Sequence, residues 1–451
     1  MDTKDFKELE IILSSYQCDK KCPYCTAKIT RWREVEDDIH MLFLNAGQMR
    51  ELGYSFHYVT LGGNGEPTLH PYQKLKDIVE MFDGWDIPVK RVLTSGNVFR
   101  EEEKEKYDLF VQHGWIFEVT VADSDMEKSN AIQGYDFDYM QTDAFKSADV
   151  RLNYVMLFSN FNGSKFLKDI DILSGKFPNI RTFALKILNI NTFNGKVDNI
   201  WSQWIVDNGI PKDMRDDIAD ILNHNFIYEG ENYDTHSWRT PNGVEIYFSW
   251  KKVLYGSYDL VWYGSRFVTY QVEDAHINLL PKVYIASRFI KEKLSDGFSF
   301  ADDFRAKLIG VERDFINFNN HSFIRNGRVP LAQYIGPFYN EKAGDGKLTS
   351  TDCEKVVSTE NSLVERCDVF VCYLDEVLSP GGINELTYAA CLHKKIIIFY
   401  KEEAEVGYAT KTSSWYPITF ASLVAPDCRM ISVDSSDEVI ERLPEILSGE
   451  N

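Results

Sequence analysis

The sequence has no basic run of any length, and its formal net charge is −20 over 451 residues. So acidic a chain repels phosphate backbones, which excludes a bare nucleic-acid polymer as partner and favours a small molecule. No stretch of about 18 apolar residues exists, so nothing is predicted to span a membrane. The opening residues "MDTKDFKELEIILSS" lack the basic start and long apolar run of a secretory signal, so a cytoplasmic location is expected. Cysteine is sparse, with eight residues in all. Five of them (Cys353, Cys367, Cys372, Cys391, Cys428) lie far downstream without metal-ligand spacing and are expected to be buried small hydrophobes in a reducing compartment. Internal repeats and low-complexity tracts are absent too.

What is present is core-forming material. The chain is 44% hydrophobic and 14% aromatic, which argues against disorder, and its length predicts two or three domains. From residue 8 to about 190, short β-type runs ("LEIILSS", "HYVTLGG", "RVLTSG", "FEVTVAD", "VRLNYVMLF", "TFALKILNI") alternate with amphipathic stretches such as "PYQKLKDIVEMFDGW". This rhythm predicts βα units around a parallel sheet of six strands over residues 1–194, fewer than a full eight-fold barrel. Residues 195–280 hold five of the nine tryptophans and read as a β-rich connecting subdomain, with "NGVEIYFSW" and "YDLVWYGSRFVTYQV" as antiparallel strands. From 281 to 451 a second alternating pattern predicts a smaller, doubly wound α/β domain with a parallel sheet.

Three of the eight cysteines stand within eight positions, Cys18, Cys22 and Cys25 in "QCDKKCPYC". Cys22 and Cys25 alone form a C-x-x-C redox pair, which leaves Cys18 unexplained. Structural zinc needs four ligands, and His40 is an isolated fourth candidate fifteen residues on. Buried inert thiols suit single cysteines better than three following one strand beside Lys20 and Lys21. The remaining reading is an iron–sulfur cluster on three thiolates, which leaves one iron open for chemistry.

The C-x3-C-x2-C spacing after a first strand resembles the radical S-adenosylmethionine (SAM) enzymes, whose fold is a partial (βα)6 barrel. "LGGNGEPTLHP" at 61–71 resembles that family's glycine-rich segment after strand two. The resemblance implies a [4Fe-4S] cluster on Cys18, Cys22 and Cys25. It implies a SAM site at Gly62, Gly63, Gly65 and Glu66, the carboxylate meeting the methionine ammonium. Ser95 and Asn97 in "LTSGN", Asp123 with Thr120 after strand four, and Asn153 and Lys186 on strands five and six are further cofactor candidates. The activity implied is reductive cleavage of SAM to a 5′-deoxyadenosyl radical that removes a substrate hydrogen, with a reductant such as flavodoxin or ferredoxin.

In the last third, "RCDVFVCYLDEVLSPGGINELTYAACLHKKIIIFY" predicts a strand, a Ser-Pro-Gly-Gly turn and a helix starting near Asn384. Glu385 would then sit in the first helical turn, where the dipole favours a carboxylate, and is a candidate nucleophile. Residues 281–451 resemble the nucleoside 2-deoxyribosyltransferase superfamily, including its nucleoside 5′-monophosphate N-glycosidases, on "VYIASRF", "YIGPFY", "TENSLVERCDVFV" and "GGINELTYAACLHKK". The resemblance implies Glu385 as nucleophile at C1′ and Glu360 as the acid orienting it. It also implies Ser379, Gly382 and Arg288 as substrate contacts. Arg328 is another candidate for phosphate. Serine at 379, where the transferases carry aspartate, points to hydrolysis of a nucleotide rather than base exchange. The family's nucleotide-cleaving members are usually oligomers, so a homodimer is expected.

The combined expectation is a bifunctional enzyme acting on a nucleotide or nucleoside. The alternative is a radical SAM enzyme whose second domain only binds a nucleotide, as sensor or delivery module. A third, a simple electron carrier, has no need of the glycine-rich segment.

Overall fold

Six of the predicted strands are present and lie side by side in chain order: β1 (Asp5–Leu13), β2 (Ser55–Gly63), β3 (Val89–Thr94), β4 (Trp115–Val121), β5 (Val150–Met156) and β6 (Ile180–Ile187). Each is parallel to the next. The structure, a computed structural model, describes residues 4–14, 17–25, 36–188, 200–210, 214–232, 235–248, 259–268, 277–287, 300–310, 322–337, 350–374, 380–400 and 415–449. The chain divides into two units, residues 1–277 and 278–451.

Alternation along the strands decides which face is which. Leu9, Ile11, Val59, Leu61, Val92, Phe117 and Val119 are fully buried on one face. Phe117 packs there with Tyr107 and Phe110 of the helix Lys104–Gln112, ring centroids 5.5 and 6.0 Å apart. The opposite face carries Glu8, Thr60, Arg91, Glu118, Arg151 and Asn153, opposed or diagonal in register. Helices on one side and polar groups on the other define a partial (βα)6 barrel with a polar inner wall.

The strands of residues 195–280 do not pair with one another as a separate layer. β9 (Glu245–Phe248) adds parallel to β6 and is followed outward by β8 (Thr235–Arg239) and β7 (Ile227–Asn232), both antiparallel. β10 (Asp259–Tyr263) adds parallel to β1 and turns through Gly264 (φ 66°) into antiparallel β11 (Arg266–Val268). The result is one eleven-stranded sheet. The cause is the open edges of a six-strand barrel, whose backbone groups need partners. Trp238 and Trp262 are buried completely in these extensions.

The second unit has β12 (Lys282–Ser287), β13 (Ser322–Asn326), β14 (Val329–Gly336), β15 (Val369–Leu374), β16 (Lys395–Tyr400) and β17 (Cys428–Ser432) in the order β13-β14-β12-β15-β16-β17. All neighbours are parallel except β13–β14. The chain winds out from β12 in both directions, the doubly wound plan, so a topological switch point lies at the carboxyl ends of β12 and β15. Val283, Ile285, Val371, Ile397 and Phe399 build one face of its core. Of the cysteines expected to be buried, Cys367 and Cys372 are. Cys391 is exposed and Cys428 half-buried, because the first ends a helix and the second starts an edge strand. The side chain of Cys353 lies outside the described residues. No helix among the described residues is long and apolar enough to cross a membrane.

Candidate active site

The loop carrying Cys18, Cys22 and Cys25 follows β1 at the carboxyl end of the barrel and is fastened from several sides. The Lys21 N–H donates to the Gln133 carbonyl at 2.8 Å, and Gln133 Nε2 donates to the Tyr24 hydroxyl at 2.9 Å. Gln133 ends the helix Met126–Gln133, and the next residue, Gly134, is left-handed (φ 59°). A Cβ on Gly134 would lie 2.9 Å from Lys21 Cβ, so glycine is required both by φ and by the approach of the cysteine loop. Lys20 is buried, with Nζ 5.1 and 5.4 Å from the ring centroids of Tyr135 and Tyr139. Tyr24 and Cys22 join an apolar cluster with Val155 and Trp204.

The glycine-rich segment binds to the same loop. Ser95 Oγ donates to Asp19 Oδ1 at 2.7 Å, and the Glu66 N–H donates to the Gln17 carbonyl at 2.8 Å. Glu66 is 2% exposed and accepts from the Thr68 N–H at 3.2 Å, from Thr94 Oγ1 at 2.8 Å, and from the Ser95 N–H. Burial pushes its carboxyl above the usual range, and hydrogen bonds from Thr68, Ser95 and Thr94 oppose that. Glu66 therefore ties the ends of β2 and β3 together, with both carboxylate oxygens accepting from protein donors. Gly62 and Gly63 are outside the left-handed region, and the nearest neighbours of a Cβ at either are protein atoms, Glu10 Oε1 at 3.0 Å and the Leu13 carbonyl at 3.3 Å. Gly65 is half-buried in the same turn. Gly96 of "LTSGN" is left-handed (φ 98°), and a Cβ there would meet the Tyr139 ring at 2.4 Å. Asn97 is buried and accepts from Arg100 Nε at 2.9 Å. Asp123 holds its own loop, accepting from the Asp125 N–H at 3.0 Å and pairing with Lys165 at 3.0 Å.

A cluster and SAM would meet a suitable donor set here. None of the three cysteines is in a disulfide, and all share one anchored loop. Buried polar atoms without hydrogen-bond partners, Asp19 Oδ2 in the cysteine loop and Asn64 Nδ2 just after β2, stand beside them, where polar ligand groups would satisfy them. Among the described residues no group of three or more His, Cys, Asp or Glu side chains, the three cysteines included, is disposed to hold a metal ion. Cys18, Cys22 and Cys25 would hold the cluster.

Beneath the loop, the inner wall holds a charge network of which the sequence reading picked out only Asn153 and Lys186. Arg91 pairs with Glu8 at 2.8 Å and Glu118 at 2.9 Å, donates to Thr60 Oγ1 at 2.6 Å, and stacks on Tyr58. Burial alone would raise the Glu118 carboxyl, but Arg91, Arg151, Lys186 and Asn153 hold it at about 2. The signal was available: "LEIIL", "FEVTV" and "VRLNYV" each carry a charge inside an apolar strand.

In the second unit, Tyr284 on β12 is fully buried and donates to Glu360 Oε2 at 2.7 Å. Glu385 lies near the same phenol, and burial pushes its carboxyl up while Arg305 and Tyr284 draw it down. Burial, with Glu385 and Glu360 alongside, raises the Tyr284 phenol well above its ordinary value. Glu360 and Glu385 are thus brought to one tyrosine at the switch point. Tyr284 and Arg305 were not assigned from sequence, although "VYIASRF" displays the tyrosine. The helix bearing Glu385 begins at Pro380, not near Asn384, since proline suits the first helical position. Glu385 lies in the second turn, and the dipole of the first does not act on it directly. Gly382 is buried in that helix. Arg328 is on the β13–β14 turn, at the amino end of β14 and so away from the switch point. Ser379 and Arg288 lie outside the described residues.

No protein-family model matches the chain, and no curated protein matches it. Among solved structures, Streptococcus suis SuiB bound to precursor peptide SuiA is 16% identical, with a TM-score of 0.36 over 49% of this chain and 47% of that one. A histidine-tagged anSMEcpe with bound AdoMet is 15% identical, with a TM-score of 0.33 over 49% and 62%. The Clostridium botulinum CMP N-glycosidase BcmB is 17% identical, with a TM-score of 0.21 over 36% of this chain and 96% of that one. This chain spans about half the length of SuiB.

Proposed function

We propose that the first unit is a radical SAM enzyme and that the second cleaves the N-glycosidic bond of a nucleotide or nucleoside. The observation that carries the first part is the anchored loop of three unbridged cysteines at the carboxyl ends of β1–β4, beside unpartnered Asp19 and Asn64 atoms. When bound, the cluster and SAM supply an organic radical able to remove an unactivated hydrogen. The chain's part is to hold and enclose. Gln133 and Gly134 fix the loop, Tyr24 and Trp204 wall one side (ring centroids 5.7 Å apart), and Lys20 offsets negative charge.

The second part rests on Tyr284 beside two carboxylates. In hydrolysis Glu385 attacks C1′ of the sugar as its anion, the base departs with the bonding electron pair, and water then releases the sugar. Arg305 favours the ionised form of Glu385, and Glu360 fixes the Tyr284 hydroxyl beside it. A module that merely bound nucleotide would have no use for this buried arrangement.

Anaerobic incubation of reconstituted full-length protein with SAM, dithionite and panels of nucleotides and short peptides, followed by mass spectrometry, tests both parts. The expected products are 5′-deoxyadenosine and a free base. Cys18→Ala, Cys22→Ala or Cys25→Ala removes the first and Glu385→Ala the second. Full SAM cleavage by Cys18→Ala returns the site to a two-cysteine redox pair. Tight nucleotide binding with no base released makes the second unit a sensor.

A further inference from the structure

The inner wall of the barrel holds two cations, Arg151 and Lys186, that share one carboxylate, Glu118, at more than hydrogen-bonding distance. Arg151 on β5 sits beside Glu118 of β4 in register, and its side chain is 11% exposed. Its guanidinium lies 5.3 Å from the Tyr247 ring centroid, and its Nε is 3.6 Å from Glu118 Oε2, too far for a hydrogen bond. Nε is buried and has no hydrogen-bond partner. Two residues on, Asn153 is 7% exposed and its Oδ1 is also unpartnered. Lys186 of β6, paired in register with Val155, reaches only Glu118, at 3.8 Å, with half its side chain open.

Charge makes the shortage of acceptors specific. Arg91 already engages both Glu8 and Glu118 at hydrogen-bonding distance. Arg151 and Lys186 then share a carboxylate that Arg91 has taken at hydrogen-bonding distance. Glu245, on the same wall, is engaged by Arg239 at 2.9 Å and by the Tyr247 hydroxyl at 3.0 Å. Glu10 also faces inward, near Gly62. A buried guanidinium with unused N–H groups is costly unless an acceptor arrives, and a planar fork of donors fits a phosphate or carboxylate best.

We propose that Arg151 and Lys186, with Asn153 beside them, form a binding site on the inner wall for an oxyanion, the phosphate or carboxylate of the molecule modified. The inference deepens the reading of the first unit and rests on it for the ligand's identity. Asn153 Oδ1 would accept from a hydroxyl or amine next to the anion.

The test is calorimetric titration of full-length protein with inorganic phosphate, with a panel of nucleoside 5′-monophosphates, and with SAM. None of these titrations requires SAM cleavage, so its failure and that of the radical reading are separable. Arg151→Gln and Lys186→Gln are each expected to weaken an oxyanion by about ten-fold or more, as for a lost charge-assisted hydrogen bond. Arg181→Gln, exposed on the other side of β6, is the control and is expected to change nothing. Selective weakening of phosphate or nucleotide assigns the site to the substrate, and selective weakening of SAM alone overturns that assignment. If Arg151→Gln does not fold, the half-exposed Lys186→Gln decides alone. Absence of binding by wild type to every probe, or affinities equal across all variants, overturns the proposal.

Discussion

Tyr284 on β12 donates its phenolic hydrogen to Glu360 Oε2 at 2.7 Å, and Glu385 lies near the same phenol. The two carboxylates of the second unit thus share one buried tyrosine as neighbour. Tyr284→Phe removes the hydroxyl without changing the stack on Phe370. The lost hydrogen bond to a charged group, about 1.5–3 kcal/mol, is expected to lower kcat for base release roughly ten- to hundred-fold with little change in KM. Unchanged kcat would make Tyr284 a packing residue.

The same site sets a pH dependence. Burial raises Glu385, and Arg305 and Tyr284 oppose it. Base release should increase as pH rises through this raised value, because the attacking group is the anion. Arg305→Gln removes the positive charge, so the acid limb of the kcat profile is expected to move to higher pH. A shift toward lower pH, or none, contradicts the assignment of Glu385.

In the first unit Arg91 joins Glu8 and Glu118. Arg91→Met leaves two buried carboxylates short of a partner, with an expected loss of about 3–5 kcal/mol, read as a lower midpoint in urea unfolding. Glu118 at about 2, against 4.5 ordinarily, stabilises the fold at pH above 4.5, and that contribution fades as pH falls from there toward 2. In the variant its pKa rises, so acid unfolding followed by circular dichroism should begin at higher pH than in wild type.

For Glu66→Gln the structure predicts a loss of stability. An amide NH2 in place of Oε2 would confront the Ser95 N–H, donor against donor, at a cost of about 1–3 kcal/mol. Thermal unfolding should show a lower Tm. Weakened SAM binding at unchanged Tm would restore the carboxylate to a purely ligand-facing role.

Gly134→Ala probes the cysteine loop from a distance. The left-handed backbone costs an alanine about 1–2 kcal/mol, and its Cβ would press on Lys21. Iron content after anaerobic reconstitution should fall although no thiol has changed. Full loading, about four irons, would mean that the loop does not depend on this contact.

Much of this was legible in the chain. Strands such as "HYVTLGG" and "KKIIIFYK" are buried on both faces and read as continuous apolar runs. β13 and β17 were passed over, since they are edge strands and "CRMIS" is largely exposed. The cysteine spacing located its loop, but Gln133, which clamps it, lies more than a hundred residues away and signals nothing locally. Of the inner-wall charges only Lys186 was picked out, because attention to strand ends misses charges such as Arg91 and Glu118 in mid-strand. Tyr284 looked like one more aromatic in a strand until Glu360 and Glu385 converged on it.

The pairing of β10 with β1 and of β9 with β6 bears on how the chain can be divided. A fragment ending at residue 194 keeps all three thiols and all six alternating strands. It nevertheless strips both flanks of the sheet of their hydrogen-bonding neighbours and removes Val261, Tyr263 and Val268 from around Ile12. Raw strands of that kind recruit other chains. The shortest soluble piece that includes the cysteine loop therefore extends to about residue 277, and protein production, crystallisation and domain-exchange experiments have to cut there.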